Sequence, residues 1–242
     1  AADDASLAGA EHFVCAVLGE RGFEDWIGEV SLVAAPRMGS LPVLSSQGPR
    51  SHAETLPLQD LGATLRAAVS GLRGGLPARP CHERLGHAVW TMFELEPDAA
   101  AREEPDLTLQ SDLVMVSTCM PEAMKCFLED GPFFSGRFSA SDEQFCFVAY
   151  DDRALAESER LGLRRAVEDA LNGELIAEER GCVIGGGLGL SHSYVDLALV
   201  EMPESLPHLR RVLSRLPVAQ HAWLLPCDSE WRGQQLRLFP DA

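Results

Sequence analysis

Short apolar runs and amphipathic segments of helical period alternate along the C-terminal part of the chain, and this alternation constrains the fold most strongly. In segment 155–171, Leu163, Val167 and Leu171 repeat at four-residue intervals, which predicts a helix with one apolar face. The predicted order is strand, helix, strand, strand, helix, strand, over residues 144–150, 155–171, 175–184, 194–200, 203–216 and 219–225. This order predicts an α+β fold with an antiparallel sheet and two helices on one face.

The preceding part of the chain has a similar order of elements. Strands are predicted at residues 29–37, 87–95, 107–116 and 133–138, and helices at 58–72 and 121–130. A further helix is predicted over residues 4–18. The order resembles the ferredoxin-like arrangement. We therefore expect two tandem ferredoxin-like (βαββαβ) halves with antiparallel sheets, at residues 29–138 and 139–242, preceded by an N-terminal helix within residues 1–28.

Two strand-to-helix junctions have similar sequences. Asp-Leu-Val-Met-Val from Asp112 precedes Met-Pro-Glu-Ala-Met from Met120, and Asp-Leu-Ala-Leu-Val from Asp196 precedes Met-Pro-Glu-Ser-Leu from Met202. Proline suits the first turn of a helix, and glutamate interacts favourably with the positive end of the helix dipole. The match indicates an internal duplication, although such junctions favour these residue types in any case.

The chain is strongly acidic, with a formal net charge of −17. This charge argues against binding to nucleic acid, which usually requires a basic surface, and against an anionic membrane surface. No apolar run reaches the roughly 18–20 residues needed to cross a bilayer. The excess of acidic residues is typical of a soluble protein whose molecules repel one another, and it also suits binding to a basic protein partner.

The cysteines show no disulfide framework. Their number is odd, no Cys-x-x-Cys motif occurs, and several lie inside apolar runs: Cys15, Cys81, Cys119, Cys126, Cys146, Cys182 and Cys227. Buried, reduced thiols fit this pattern, with Cys146 and Cys182 the least reactive. We therefore expect a cytoplasmic protein.

A glycine cluster, Gly-Gly-Gly-Leu-Gly at 185–189, is the most conspicuous short motif. A phosphate-binding loop would require a following helix and a Lys-Ser or Lys-Thr pair, and neither is predicted here. The cluster instead predicts a hairpin turn whose glycines need positive φ or a close backbone approach. The following Ser191 lies in Gly-Leu-Ser-His-Ser, which lacks the final glycine of the nucleophile elbow, so a turn hydroxyl is favoured over a catalytic one.

Other residues that could support chemistry are incomplete or have simpler roles. Cys81, His82 and His87 lie close in sequence, but no fourth ligand completes a zinc site. Asp112 and Asp196 begin similar predicted strands and could act as an acid–base pair, although carboxylates at strand ends more often accept hydrogen bonds. We therefore predict no catalytic residue, no metal site and no cofactor.

An acidic loop follows the predicted strand 87–95 and is absent from the second half. Within 13 residues it carries six carboxylates, Glu94, Glu96, Asp98, Glu103, Glu104 and Asp106, against a single base, Arg102. Such a run is usually a solvated surface. Because insertions on a repeated scaffold often carry specific function, we also interpret these six residues as a protein-binding site.

The functional hypothesis follows from the charge and from the missing catalytic motifs. We expect a non-enzymatic protein-binding domain, antitoxin-like or adaptor-like, for a basic partner. The alternative is a small-molecule binding protein or an enzyme with a pocket between the two halves. The sequence leaves open whether the protein is an enzyme, and it leaves the oligomeric state open.

Overall fold

The computed structural model describes residues 15, 58–97, 101, 104–129, 133–218 and 221–239. The chain forms two compact units, residues 1–75 and 76–242. In the first unit, helix α1 spans Leu58–Gly74, which confirms the helix predicted over 58–72. Of the predicted N-terminal helix only Cys15 is described, and it is helical. The strand predicted at 29–37 lies outside the described residues.

The second unit combines helices with one sheet. Its helices with described bounds are α2 Cys81–Arg84, α3 Pro121–Leu128, α4 Glu157–Ala177 and α5 Met202–Leu213. Its strands are β1 Thr91–Glu94, β2 Leu113–Thr118, β3 Gln144–Asp151, β4 Gly181–Gly189, β5 His192–Leu199, β6 Ala222–Pro226 and β7 Leu236–Arg237. Short 3-10 turns lie at Leu85–His87, Leu107–Leu109, Ser135–Arg137 and Ser229–Trp231. The predicted α+β class is confirmed.

The seven strands found among the described residues lie in one antiparallel sheet with the order β1-β2-β4-β5-β3-β6-β7. The hairpin β1-β2 joins the sheet at the edge of β4 and does not form a sheet of its own among the described residues. Two tandem ferredoxin-like halves, each with its own sheet, are therefore not confirmed.

Helices cover both faces of this sheet. On one face, α4 and α5 pack Leu171 and Leu209 against Val148 and Leu197 of the strands. On the other face, α3 packs Phe127 among side chains of β2, β3, β4 and β5. Because both faces are buried, β3 is a nearly continuous apolar run. The sheet thus has a helix on its second face as well.

The internal duplication is not confirmed either. The two similar junctions are β2 followed by α3 and β5 followed by α5. Both strands pair antiparallel with β4, one on each side of it. Their helices, however, pack on opposite faces of the sheet. The two junctions therefore have different surroundings despite their similar sequences.

The strand predicted at 133–138 was wrong. This segment forms the 3-10 turn Ser135–Arg137. Ser135 donates from its amide and its hydroxyl to the Asp228 carboxylate, each at 2.6 Å, and its hydroxyl accepts from the Phe145 amide at 2.9 Å. These bonds fasten the segment to the start of β3 and the end of β6, so it cannot extend as a strand.

No helix among the described residues is long and apolar enough to cross a membrane.

Candidate functional site

The acidic loop keeps most of its described carboxylates at the surface. Glu94 ends β1 and Glu96 follows it, and both side chains are exposed, as are those of Glu104 and Asp106. The other two predicted binding residues, Asp98 and Glu103, lie outside the described residues. The four described members are therefore accessible to a partner.

Asp106 differs from the other members because it has a structural role. Its carboxylate Oδ1 accepts from the Thr108 amide at 2.9 Å and from the Thr108 hydroxyl at 2.6 Å. It thereby caps the 3-10 turn Leu107–Leu109. The charge available for recognition rests with Glu94, Glu96 and Glu104.

A run of exposed apolar side chains leads directly into these carboxylates. Val89 is 79% exposed, Trp90 49% and Met92 64%. Such a concentration of large apolar side chains at the surface is typical of an interaction site. The sequence pattern does not reveal this run, because it predicts the strand 87–95 but not which of its faces the neighbouring elements cover.

The pairing of β1 with β2 explains the exposure of Met92. Met92 lies opposite Ser117 and Glu94 lies opposite Met115, whereas Phe93 lies opposite the buried Val116. Alternate side chains of a strand point to opposite faces, so Phe93 packs on the core while Met92 and Glu94 point away from it. The outward-pointing face of β1 thus combines an apolar and an acidic side chain.

The outer edge of β1 has no neighbouring strand among the described residues. The Leu95 amide donates to the Val114 carbonyl at 2.9 Å, so the backbone of Leu95 faces β2. By the alternation of an antiparallel ladder, the amides of Met92 and Glu94 point to the outer edge. An edge of this kind is a template for an added strand.

The glycine cluster is not a turn, contrary to the prediction. Gly185–Gly187 and Gly189 lie inside β4, and the chain reverses at Leu190 and Ser191. Each of these glycines leaves room for a side chain of a neighbouring element. The repeated glycines suggest a turn in the sequence, because the side chains that pack beside them come from residues distant along the chain.

Asp112 holds the β4–β5 reversal together. Its Oδ2 accepts from the Ser191 amide at 2.9 Å, the Ser191 hydroxyl at 3.0 Å and the His192 amide at 3.2 Å. Its Oδ1 accepts from the Tyr194 hydroxyl. Burial alone would raise the pKa of Asp112, but the bonds from His192, Tyr194 and Ser191 lower it from 3.8 to about 2.

Ser191 and His192 do not form a hydrolytic site with Asp112. The Ser191 hydroxyl lies 3.0 Å from His192 Nδ1, but the carboxylate contacts the serine itself and the backbone amides. In a catalytic triad the carboxylate would orient the far side of the imidazole ring. The arrangement instead favours the turn role that the sequence indicated for Ser191.

A second buried carboxylate supports the same end of the sheet. Asp152 accepts from Arg160 Nε at 2.7 Å and from the Ser193 hydroxyl at 2.5 Å. Arg160 also donates from Nη2 to the His192 carbonyl at 3.0 Å. The ion pair therefore links α4 to the residue that follows β3, and the bonds to His192 and Ser193 extend this link to β5.

The predicted metal candidates are not brought together. Cys81 Sγ accepts from Arg84 at 3.3 Å, and Cys81, Arg84 and His87 line a cavity of about 380 Å³ with Cys119. Cys81, His82 and His87 do not form a three-ligand cluster among the described residues.

One cluster of possible metal ligands does occur in the described part of the chain, formed by Glu174, Glu178 and His208. The guanidinium of Arg211 lies 3.0 Å from Glu174 and 2.8 Å from His208 Nδ1. This positive charge already neutralises the carboxylate, so the cluster is an ion-pair network between α4 and α5.

Asp112 and Asp196 do not act as a pair. Asp112 precedes β2, and Asp196 lies in the middle of β5, where it receives a hydrogen bond from Gln110. The two carboxylates share no hydrogen-bond partner among the described residues.

Comparison of the chain with protein-family models, with curated proteins and with solved structures gives no match.

Proposed function

We propose that this protein binds a basic protein partner, which adds an extended, positively charged segment to the outer edge of β1. The observation that carries the proposal is the exposed apolar run Val89, Trp90 and Met92, which leads directly into the carboxylates Glu94 and Glu96. Strand addition uses backbone hydrogen bonds for affinity and alternate side chains for specificity. The edge of β1 offers both.

The exposed side chains explain why a partner would bind here. Burial of apolar area is worth about 25 cal/mol per Å², so covering Trp90 and Met92 stabilises a complex. Aromatic side chains are also common among the residues that dominate binding energy. The apolar run therefore supplies affinity, while the neighbouring carboxylates select the charge of the partner.

The charge of the whole chain supports a basic partner. A net charge of −17 attracts cations over a distance and raises the rate of encounter. The exposed Glu94 and Glu96 place part of that charge directly after the apolar run in the chain. An adaptor-like or antitoxin-like role would use these features. A cytoplasmic location belongs to the same proposal, since none of the seven cysteines forms a disulfide.

The proposal can be tested by removing a backbone donor from the edge. Met92→Pro removes the outward-pointing amide while leaving the amides that face β2 in place, and proline is tolerated on edge strands. We would measure the binding of a labelled peptide of alternating valine and arginine residues by fluorescence anisotropy. We expect binding to weaken about fivefold or more, because a backbone hydrogen bond and the side chain are both lost.

Met92→Ala is the matched control, since it removes the side chain and keeps the amide. It should weaken binding less than the proline variant does. If the peptide binds the proline variant as tightly as the parent, strand addition at β1 is wrong. Circular dichroism and thermal unfolding of each variant establish that the sheet is retained.

A further inference from the structure

A buried carboxyl group without a full set of partners lies beneath α3. Asp196 is 6% exposed, and its Oδ1 accepts from Gln110 Nε2 at 3.1 Å. Its Oδ2 has no hydrogen-bond partner among the described residues, and neither has Oε1 of Gln110. Both of these atoms are acceptors, so the pair lacks a donor.

Glycines in β4 leave space for this carboxyl group, although glycine in a strand interior reduces the stability of the strand. Gly185 lies opposite Asp196 in the sheet, and a Cβ atom on Gly185 would lie 2.8 Å from Asp196 Oδ2. On the other face, a Cβ atom on Gly186 would lie 2.7 Å from Glu168 Oε1. Glycine weakens a strand interior, so its presence here is explained by the side chains that occupy the space.

Asp196 and Gln110, the residues that carry these two acceptors, both line a small, largely apolar cavity. The cavity has a volume of about 30 Å³. Its polar lining consists of Asp196, Gln110 and Thr118, and most of the remainder is thioether, aliphatic and aromatic: Met120, Ala123, Met124, Phe127, Phe133 and Ile184. The Thr118 hydroxyl already donates to the Ile184 carbonyl at 3.1 Å and accepts from the Met120 amide at 3.0 Å. Asp196 and Gln110 therefore set the polarity that a ligand meets.

We propose that this cavity binds the primary ammonium group of a small ligand. An ammonium group has three donors and no acceptor, which matches the two acceptor oxygens that lack donors. Its positive charge is favoured by the Asp196 carboxylate, and the aromatic rings of Phe127 and Phe133 belong to the same lining. Since a water molecule needs roughly 10–15 Å³ of such space, the cavity admits a head group with one or two carbon atoms.

The charges near the carboxyl group are consistent with this ligand. Burial raises the pKa of Asp196 to about 6. The hydrogen bond from Gln110 lowers this pKa, whereas the negative charge of Glu168, on the other side of the sheet, raises it further. The positive charge of Arg164, whose Nε lies 3.3 Å from Glu168 Oε1, opposes this rise. Near pH 6 a bound ammonium group would favour the ionised carboxylate, so binding should release a proton.

Calorimetric titration of the whole protein with methylammonium and ethylammonium chloride tests the proposal. Methanol and ethanol are the matched neutral probes, and sodium chloride controls for ionic strength. The two ammonium ions should bind at least about tenfold more tightly than the alcohols, because hydrogen bonds to a charged group are the stronger ones. The site is independent of the protein binding proposed at β1, so Met92→Pro should leave the titration unchanged.

Two variants separate the ligand from the cavity. Asp196→Asn keeps the shape and removes the charge, so it should lose the preference for ammonium over alcohol. Ala123→Leu fills the cavity and should abolish binding of every probe. Equal binding of ammonium and alcohol by the parent, or unchanged ammonium binding by Asp196→Asn, would overturn the proposal. So would the absence of any binding, which would leave the two oxygens hydrated by water.

Discussion

The Asp196 carboxylate lies directly over Gly185, so that its Oδ2 is 2.8 Å from the position of a Cβ atom on that glycine. The Ser117 carbonyl lies 2.9 Å from the same position. One neighbour is a side chain that could turn away, but the other is backbone of the adjacent strand. The buried carboxyl group and the glycine are therefore a matched pair.

Gly185→Ala should destabilise the protein by about 2 kcal/mol or more, because overpacking of a well-packed interior costs about 1–3 kcal/mol and the carboxyl group must also move. The measurement is the free energy of unfolding in urea. Gly173→Ala is the control, since Gly173 is exposed in α4 and its Cβ atom would meet nothing within 4 Å. That helix substitution should stabilise by roughly 0.5–1 kcal/mol. Equal effects at the two sites would contradict the pairing of Gly185 with Asp196.

The pH dependence of stability should reveal Asp196. Its pKa is raised by burial from 3.8 to about 6, so the folded state holds this proton more tightly than the unfolded state does. The contribution of this group to stability is therefore full below about pH 4 and falls as the pH rises through 6. The loss is at most about 3 kcal/mol, from roughly two pKa units at 1.36 kcal/mol each.

Asp196→Asn should remove this pH dependence. The variant should be more stable than the parent at pH 8 by about 1–3 kcal/mol and nearly equal to it at pH 4. Urea unfolding at both pH values is the measurement. A variant that is less stable than the parent at pH 8 would show that the charged carboxylate is well accommodated.

Much of the architecture could be predicted from the sequence. The helix 121–130 and most strands of 144–226 follow from apolar periodicity, and the structure places them within a few residues. The strand predicted at 175–184 is the exception, since the observed strand spans Gly181–Gly189. The helix predicted over 155–171 continues to Ala177, because Leu175 extends the same apolar face. The local sequence pattern is sufficient to predict a helix or strand where the spacing of apolar residues within the segment determines which of its faces is buried.

The sheet partners could not be predicted, since they depend on contacts distant in sequence. From the sequence, the glycines of β4 indicate a turn. In the fold, the space beside them is occupied by the side chains of Asp196, Glu168 and Leu113. The aromatic run at 133–138 is apolar enough for a strand, but Asp228 fixes it in a 3-10 turn. The acidic loop was visible in the sequence, whereas the exposed face beside it was not.

Asp112 should have the opposite pH signature to Asp196. Its hydrogen bonds lower its pKa from 3.8 to about 2, so its contribution is present above about pH 4 and is lost as the pH falls through 2. Asp112→Asn should destabilise the protein at pH 7 by about 2 kcal/mol, because the amide cannot accept from all four donors. Thermal unfolding at pH 7 is the measurement. An unchanged melting temperature would mean that the Ser191 reversal is held by other contacts.

Three of the cysteines should resist modification in the folded protein. Cys146 and Cys182 are fully buried, and burial raises the pKa of both thiols and that of Cys81, the last to about 12. These three should resist alkylation in the native protein and react only after unfolding. Mass-spectrometric mapping after a short iodoacetamide pulse is the measurement. Rapid labelling of Cys146 would contradict the buried position of β3.

The acidic loop should control how fast a basic partner associates. Glu94→Gln with Glu96→Gln removes two exposed charges and spares Asp106, whose carboxylate caps the turn Leu107–Leu109. The free energy of unfolding should change by less than about 0.5 kcal/mol, because exposed charges contribute little. The rate of association with a partner captured from the native source should fall, and its dependence on salt should flatten, because long-range attraction is lost. The control is Asp169→Asn with Glu178→Gln, which removes two exposed charges from α4 and its C-terminal end. If both double variants slow association equally, only the net charge matters, and the carboxylates beside β1 have no specific role.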